Sequence, residues 1–212
     1  MSGCHRSFGK YWLDQGFEVL APEITWNNTK SFNLFTIQIS AIGHDLLKIK
    51  QIIKYMKNIK RKKIPITIIG ISHGARVAMF AGIIFNEIKC LIEIASSGNL
   101  LDKLNYIRNN GTKEKLYEQV IKAFKKTGIF SVSFYFYFQN IDLYKLFAPK
   151  PIVISQGIQN HPLYDLNYFL KVFKYYKKIG LGNKCILNIF DGGHESYPEG
   201  EFNSYLRIFK KK

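Results

Sequence analysis

Short apolar runs alternate along this chain with longer stretches in which apolar residues recur every three or four positions. The runs Ile66–Ile71, Ile88–Ala95, Pro151–Ser155 and Cys185–Phe190 are rich in isoleucine and valine, the pattern of buried strands. Helical patterns lie between and around them. Asp45–Lys60 sets Leu46, Leu47, Ile49, Ile52, Ile53 and Met56 near a 3.6-residue period, and Ala75–Phe85, Leu163–Ile179 and Phe202–Phe209 read as further helices. A short helix is expected over Phe8–Gln15, ended by Gly16, and Phe17–Pro22 reads as a strand stopped by its proline. Strand and helix in alternation predict an α/β fold, a mostly parallel sheet with helices on both faces. Residues 99–147 interrupt the alternation with a helix near Lys113–Lys126 and the aromatic run Phe134–Phe138. This stretch is expected either as a lid or insertion over the C-terminal edge of the sheet or as a packed aromatic segment of the core.

Length and composition narrow the class. A chain of 212 residues with 47% hydrophobic and 15% aromatic content is read as one globular domain, 1–212, with a full core. The longest apolar stretches, Val77–Phe85 and Ile129–Phe138, are too short or too interrupted to cross a bilayer. Met1–Arg6 has no apolar segment behind it, so no signal peptide is visible and a cytoplasmic location is expected. The net charge of +16 raises nucleic acid as a partner. Yet arginine occurs at only five positions, and lysine is abundant together with isoleucine, asparagine, phenylalanine and tyrosine, residues whose codons are A/T-rich. The densest basic run, Lys57–Lys63, falls at a predicted helix C-terminus, where cations complement the helix dipole. No nucleic-acid partner is expected. Cys4, Cys90 and Cys185 form no C-x-x-C pair, so neither a metal site nor a disulfide framework is implied. Cys90 and Cys185 sit in strand patterns as small core residues.

The chemistry is carried by Gly70-Ile71-Ser72-His73-Gly74, which follows a strand pattern and opens a helix pattern. This is the setting of a nucleophile elbow: the turn is tight enough to strain Ser72 and to require glycines at 70 and 74, and it lifts the serine hydroxyl above the sheet edge. An ordinary strand–helix turn with an idle serine is the alternative. A serine nucleophile needs a base, and a third group orients that base. Of His5, His44, His73, His161 and His194, the last follows a predicted strand in a Gly-Gly-His turn late in the chain, as the order serine, acid, histidine requires. The backbone N–H of His73, next after the serine, is a candidate oxyanion donor.

These residues, taken with several segments in matching order, resemble the α/β-hydrolase superfamily and within it the dienelactone-hydrolase and acetyl-xylan-esterase-like branch. The matching segments are Gly16–Pro22, Gly43-His44-Asp45 before a long helix, Ile88–Gly98, Ala148-Pro149-Lys150-Pro151 at a strand start, and Asp191-Gly192-Gly193-His194-Glu195. The resemblance implies a three-layer sandwich and a serine hydrolase acting on carboxylic esters through an acyl-enzyme on Ser72. A small-molecule ester is the implied partner, with no metal or organic cofactor. Two departures stand out. Where the family carries G-x-x-D, this chain has Gly157-Ile158-Gln159-Asn160, and an aspartate-to-asparagine change in such a triad costs ~10⁴ in turnover. Asp165 and Asp102 are possible substitutes. The family also has a strand and an oxyanion loop ahead of the first helix. Either the true start lies upstream of Met1, or the chain is a shortened relative whose sheet lacks its N-terminal strands; Gly3 and Cys4 are the local candidates for the second oxyanion donor. The alternative function is a degenerate, weakly active or inactive homologue with a binding or structural role. Substrate identity and oligomeric state are not fixed by the sequence.

Overall fold

A computed structural model of the chain describes residues 8–24, 41–60, 65–96, 108–109, 111–115, 118, 140–159 and 163–209. Its elements in chain order are α1 (Phe8–Asp14), α2 (Ala41–Lys60), β1 (Ile66–Ile71), α3 (His73–Ile84), β2 (Ile88–Ile94), α4 (Asn140–Phe147), β3 (Ile152–Gly157), α5 (Leu163–Lys178), β4 (Cys185–Phe190) and α6 (Pro198–Phe209). Among the described residues the strands form one sheet in the order β1-β2-β3-β4. Every pairing is parallel, with Ile71 opposite Ile94, Ile92 opposite Val153 and Gly157 opposite Phe190.

Because the strand order never reverses, crossovers of one hand must all pass over one face of the sheet. The packing bears this out. Met79 of α3, Phe147 of α4 and Phe169 and Val172 of α5 share a core cluster with Leu91, Ile152 and Ile154. The alternate strand residues Ile92, Ile94 and Val153 point the other way, onto Trp12 of α1 and Phe202, Tyr205 and Ile208 of α6. Helix α2 lies against α3 through Ile53 and Ala81. The all-buried β3 is what a parallel strand covered on both faces requires.

The strand expected over Phe17–Pro22 does not form. Residues 17–24 carry no strand and are exposed apart from half-buried Phe17. Apolar, β-branched composition gives a segment strand propensity, but a strand also needs a ladder partner. Among the described residues β1 pairs with β2 alone. Phe17 instead sets its ring edge-on to Trp12, centroids 5.2 Å apart. The insertion expected at about 99–147 resolves at its end into α4. The aromatic run Phe134–Phe138 lies outside the described residues, as does most of Lys113–Lys126, which is helical at 113–115 and 118.

Among the described residues, a carboxyl group lies in the core on the α3–α5 face. Glu93 of β2 is 4% exposed and accepts a 2.6 Å hydrogen bond from the Tyr144 hydroxyl of α4. Burial pushes its carboxyl above the ordinary value, against the opposing effects of the Tyr144 hydrogen bond and the charge of Arg76. Burial and the Glu93 charge together hold the Tyr144 phenol well above its ordinary value. An acid whose folded pKa is raised stabilises the fold fully below its unfolded pKa, and that contribution is lost as pH rises through the folded value. Glu93→Gln, which cannot ionise, should therefore gain on wild type in urea denaturation as the pH is raised above about 4. A stability difference that stays constant with pH would contradict this account of Glu93.

Candidate active site

The site is built where the strands end. Ser72 directly follows β1 with φ 55° and ψ −114°, in the left-handed region that non-glycine residues occupy only under constraint. The constraint is visible on both sides. The Ser72 N–H donates to the carbonyl of Ile94 at the end of β2, 2.9 Å away, and the Ser72 carbonyl accepts from the N–H of Ala75, 3.1 Å away. Helix α3 then starts at His73, two residues earlier than its pattern predicts. Ser72 holds the helix N-cap position without using its hydroxyl as a cap. The His73 N–H belongs to the first helical turn, where N–H groups face outward and the dipole is positive.

The two elbow glycines are not equivalent. A Cβ at Gly70 would overlap the backbone of Gly74 and Ala75, whereas a Cβ at Gly74 would meet nothing within 4 Å. The expectation that both relieve a clash thus holds for Gly70 only. Gly74 already lies inside the helix, and no described atom would meet its Cβ within 4 Å.

His194 lies in the loop after β4 and is exposed. Strand order puts three strand spacings, about 14 Å of backbone, between the ends of β1 and β4, so this loop has to lean back across the edge to serve Ser72. Its near end is fixed to the loop after β3. The N–H of Ile158 donates to the Phe190 carbonyl (3.0 Å) and that of Gln159 to the Gly192 carbonyl (3.0 Å), and Gln159 Nε2 donates to Asp191 Oδ1 (2.7 Å). A Cβ at Gly157 would overlap the carbonyl oxygens of Gly192 and Gly193. Glycine at 157 is therefore what lets the two loops touch.

The remaining predicted site residues are placed only in part. Asn160 lies one residue beyond this contact and outside the described residues, as do Cys4, Gly3, Asp102, His5 and His161. Asp165 falls in the first turn of α5, its side chain outside the described residues. His44 lies in α2, an element that packs on α3. The thiols of Cys90 and Cys185 are buried, and burial pushes each up to about 12, which makes them inert packing groups. The roles of Gln159 and of the buried Glu201 were not legible in advance, since no motif marks them.

No protein-family model and no curated protein matches the chain. Comparison with solved structures does find likenesses. A protein of Bacteroides fragilis assigned as an acetyl xylan esterase superposes with a TM-score of 0.53 at 19% identity, over 84% of this chain and 46% of its own. MGS-MChE2, an α/β-hydrolase enzyme from the sediment metagenome of the Mar Chica lagoon, gives 0.51 at 20% identity, over 93% and 79%. The esterase Pf2001 of Pyrococcus furiosus gives 0.49 at 22% identity over 77% of this chain, which spans 60% of its length. The chain has the α/β-hydrolase fold.

The difference between the elbow glycines is testable by urea denaturation. Gly70→Ala should cost about 3 kcal/mol, because backbone rather than a mobile side chain must give way. Gly74→Ala should be neutral or gain about 0.5 kcal/mol as an alanine replacing a helical glycine.

Proposed function

We propose that this chain of α/β-hydrolase fold is a serine hydrolase that cleaves carboxylic esters of small molecules, with Ser72 as nucleophile and His194 as base. The observation that carries the reading is the backbone of Ser72: a left-handed serine between a strand end and a helix start, its hydroxyl not spent on capping. Strain of this kind persists only where surrounding structure enforces it, and it collects at functional sites.

In the proposed reaction His194 takes the proton from Ser72 Oγ as the oxygen attacks the ester carbonyl. The N–H of His73, at the positive end of α3, donates to the carbonyl oxygen as it becomes an oxyanion. Collapse of the tetrahedral intermediate breaks the C–O bond, and the departing alkoxide takes the proton back from His194. A water then repeats the sequence on the acyl-enzyme, with His194 again as base, and releases the carboxylic acid. Gly3 or Cys4 is the proposed second oxyanion donor, and Asn160 occupies the position of the orienting acid. An asparagine there can accept a hydrogen bond from the imidazole but cannot neutralise the imidazolium, so slow turnover belongs to this reading. The solved esterases of the same fold support ester substrates.

Asn160 also favours a second reading, a homologue of this fold whose activity has decayed and which now serves in binding. Two experiments separate them. A fluorophosphonate probe should label folded wild-type protein on Ser72 and leave Ser72→Ala unlabelled; absence of labelling in wild type would rule out the hydrolase. Asn160→Asp should raise hydrolysis of p-nitrophenyl acetate steeply, by up to ~10⁴ if the acid is the only lost part. An unchanged rate would point to decay beyond the acid.

A further inference from the structure

The loop that carries His194 is held at both ends, and its far anchor is a carboxylate with no place in the chemistry. Glu201, in the first turn of α6, is fully buried at 0% exposure. Its Oε1 accepts from the backbone N–H of Tyr197 at 2.8 Å and from Ser155 Oγ of β3 at 3.1 Å. Its Oε2 accepts from Ser196 Oγ at 2.8 Å. Ser155 accepts in turn from Asn188 Nδ2 of β4 at 2.9 Å. One carboxylate thus joins two strands, the start of a helix, and the residues two and three positions after His194. At the near end, Gly192 is fixed by the Gln159 N–H. Between these anchors, the N–H of Gly193 donates to Glu195 Oε1 at 3.2 Å, which tightens the arch whose apex is His194.

A helix start alone does not call for such an arrangement. A capping side chain at a helix N-terminus ordinarily stays near solvent, whereas burying a carboxylate is costly unless every acceptor site is used. Here both oxygens are used, and among the described residues the donors Ser196 and Tyr197 both belong to the loop. We propose that Glu201 is a positioning residue, which fixes the orientation of the His194 imidazole by holding the loop at Ser196 and Tyr197. The proposal rests on the reading of His194 as the base. Its geometric content, that Glu201 sets the imidazole's orientation and mobility, can be measured without any turnover.

The test compares wild type with Glu201→Gln, whose amide keeps the shape but turns one acceptor oxygen into a donor facing donors. It adds Ser196→Ala, which removes the loop hydroxyl and leaves the carboxylate in place should the first variant fail to fold. In histidine-labelled protein the His194 imidazole resonance should shift or broaden in the variants, and amide exchange at 191–197 should quicken while that of β3 holds. On p-nitrophenyl acetate kcat should fall about 10- to 100-fold, as small misplacements of a catalytic group do, with KM within about twofold. An unchanged resonance and unchanged exchange in a folded variant overturn the proposal, whether or not wild type hydrolyses the ester. A moved resonance with kcat intact in an active wild type also overturns it, because the loop's geometry would then not limit the reaction. A moved resonance in a wild type that neither turns over ester nor takes up the fluorophosphonate sustains the positioning by Glu201 and removes the hydrolase reading instead.

Discussion

The hydrogen-bond ladder of the sheet does not stop where the strands do, and the candidate site hangs on that continuation. Past the last strand residues, Ser72 N–H reaches Ile94, Ala95 N–H reaches Ser155, Ile158 N–H reaches Phe190 and Gln159 N–H reaches Gly192, all between 2.9 and 3.0 Å. These four backbone bonds link the elbow after β1, step by step, to the loop after β4. They exist because every pairing is parallel, which brings all four C-terminal ends to one edge. Loop backbone groups at that edge would otherwise lack partners on leaving the sheet. The serine and the histidine loop thus share one frame although Ser72 and His194 lie 122 positions apart in the sequence.

Close approach of backbone to backbone is the second element of that frame. Gly70 lets α3 begin hard against β1, and Gly157 lets the loop after β3 lie on Gly192 and Gly193. Each contact works by the absence of a side chain. Two buried carboxyl groups then secure the layers around the edge. Glu93 ties β2 to α4 through Tyr144, and Glu201 ties β3, α6 and the histidine loop. They lie on opposite faces of the sheet, because strand residues alternate in direction and Ser155, which meets Glu201, has the opposite parity to Ile154 in the α3–α5 core. Buried acids of this kind add less to net stability than to uniqueness of arrangement, since any other packing would leave a costly group without partners.

Much of this was legible in the sequence. Strands β1 and β4 fall where their apolar runs predict, residue for residue, and the other two within two residues at either end. Local composition suffices there because a strand covered on both faces must be apolar throughout. Helix α6 starts at Pro198, four residues ahead of its apolar pattern; a proline at the first helical position and Glu199 and Glu201 in the first turn were available signals. The eight-residue α4 was missed because it lies at the end of 99–147, a stretch read as an insertion or aromatic segment rather than for its own period. The elbow and the histidine loop could be recognised because their glycines and their order along the chain are local facts.

The sequence by itself determined the four paired strands and most of the helices, and that a serine sits where a strand turns into a helix, because period and turn chemistry are written in neighbouring residues. The tertiary structure alone decided the rest. It left Phe17–Pro22 outside the sheet that the described strands form, and among the described residues it released Gly74 from the steric role it shares on paper with Gly70. It also placed Glu201 and Gln159 around the histidine loop. Each of these outcomes depends on which atoms lie across a gap, and a gap between Gly157 and Gly192, or between Ser155 and Glu201, closes only once the chain between them has folded.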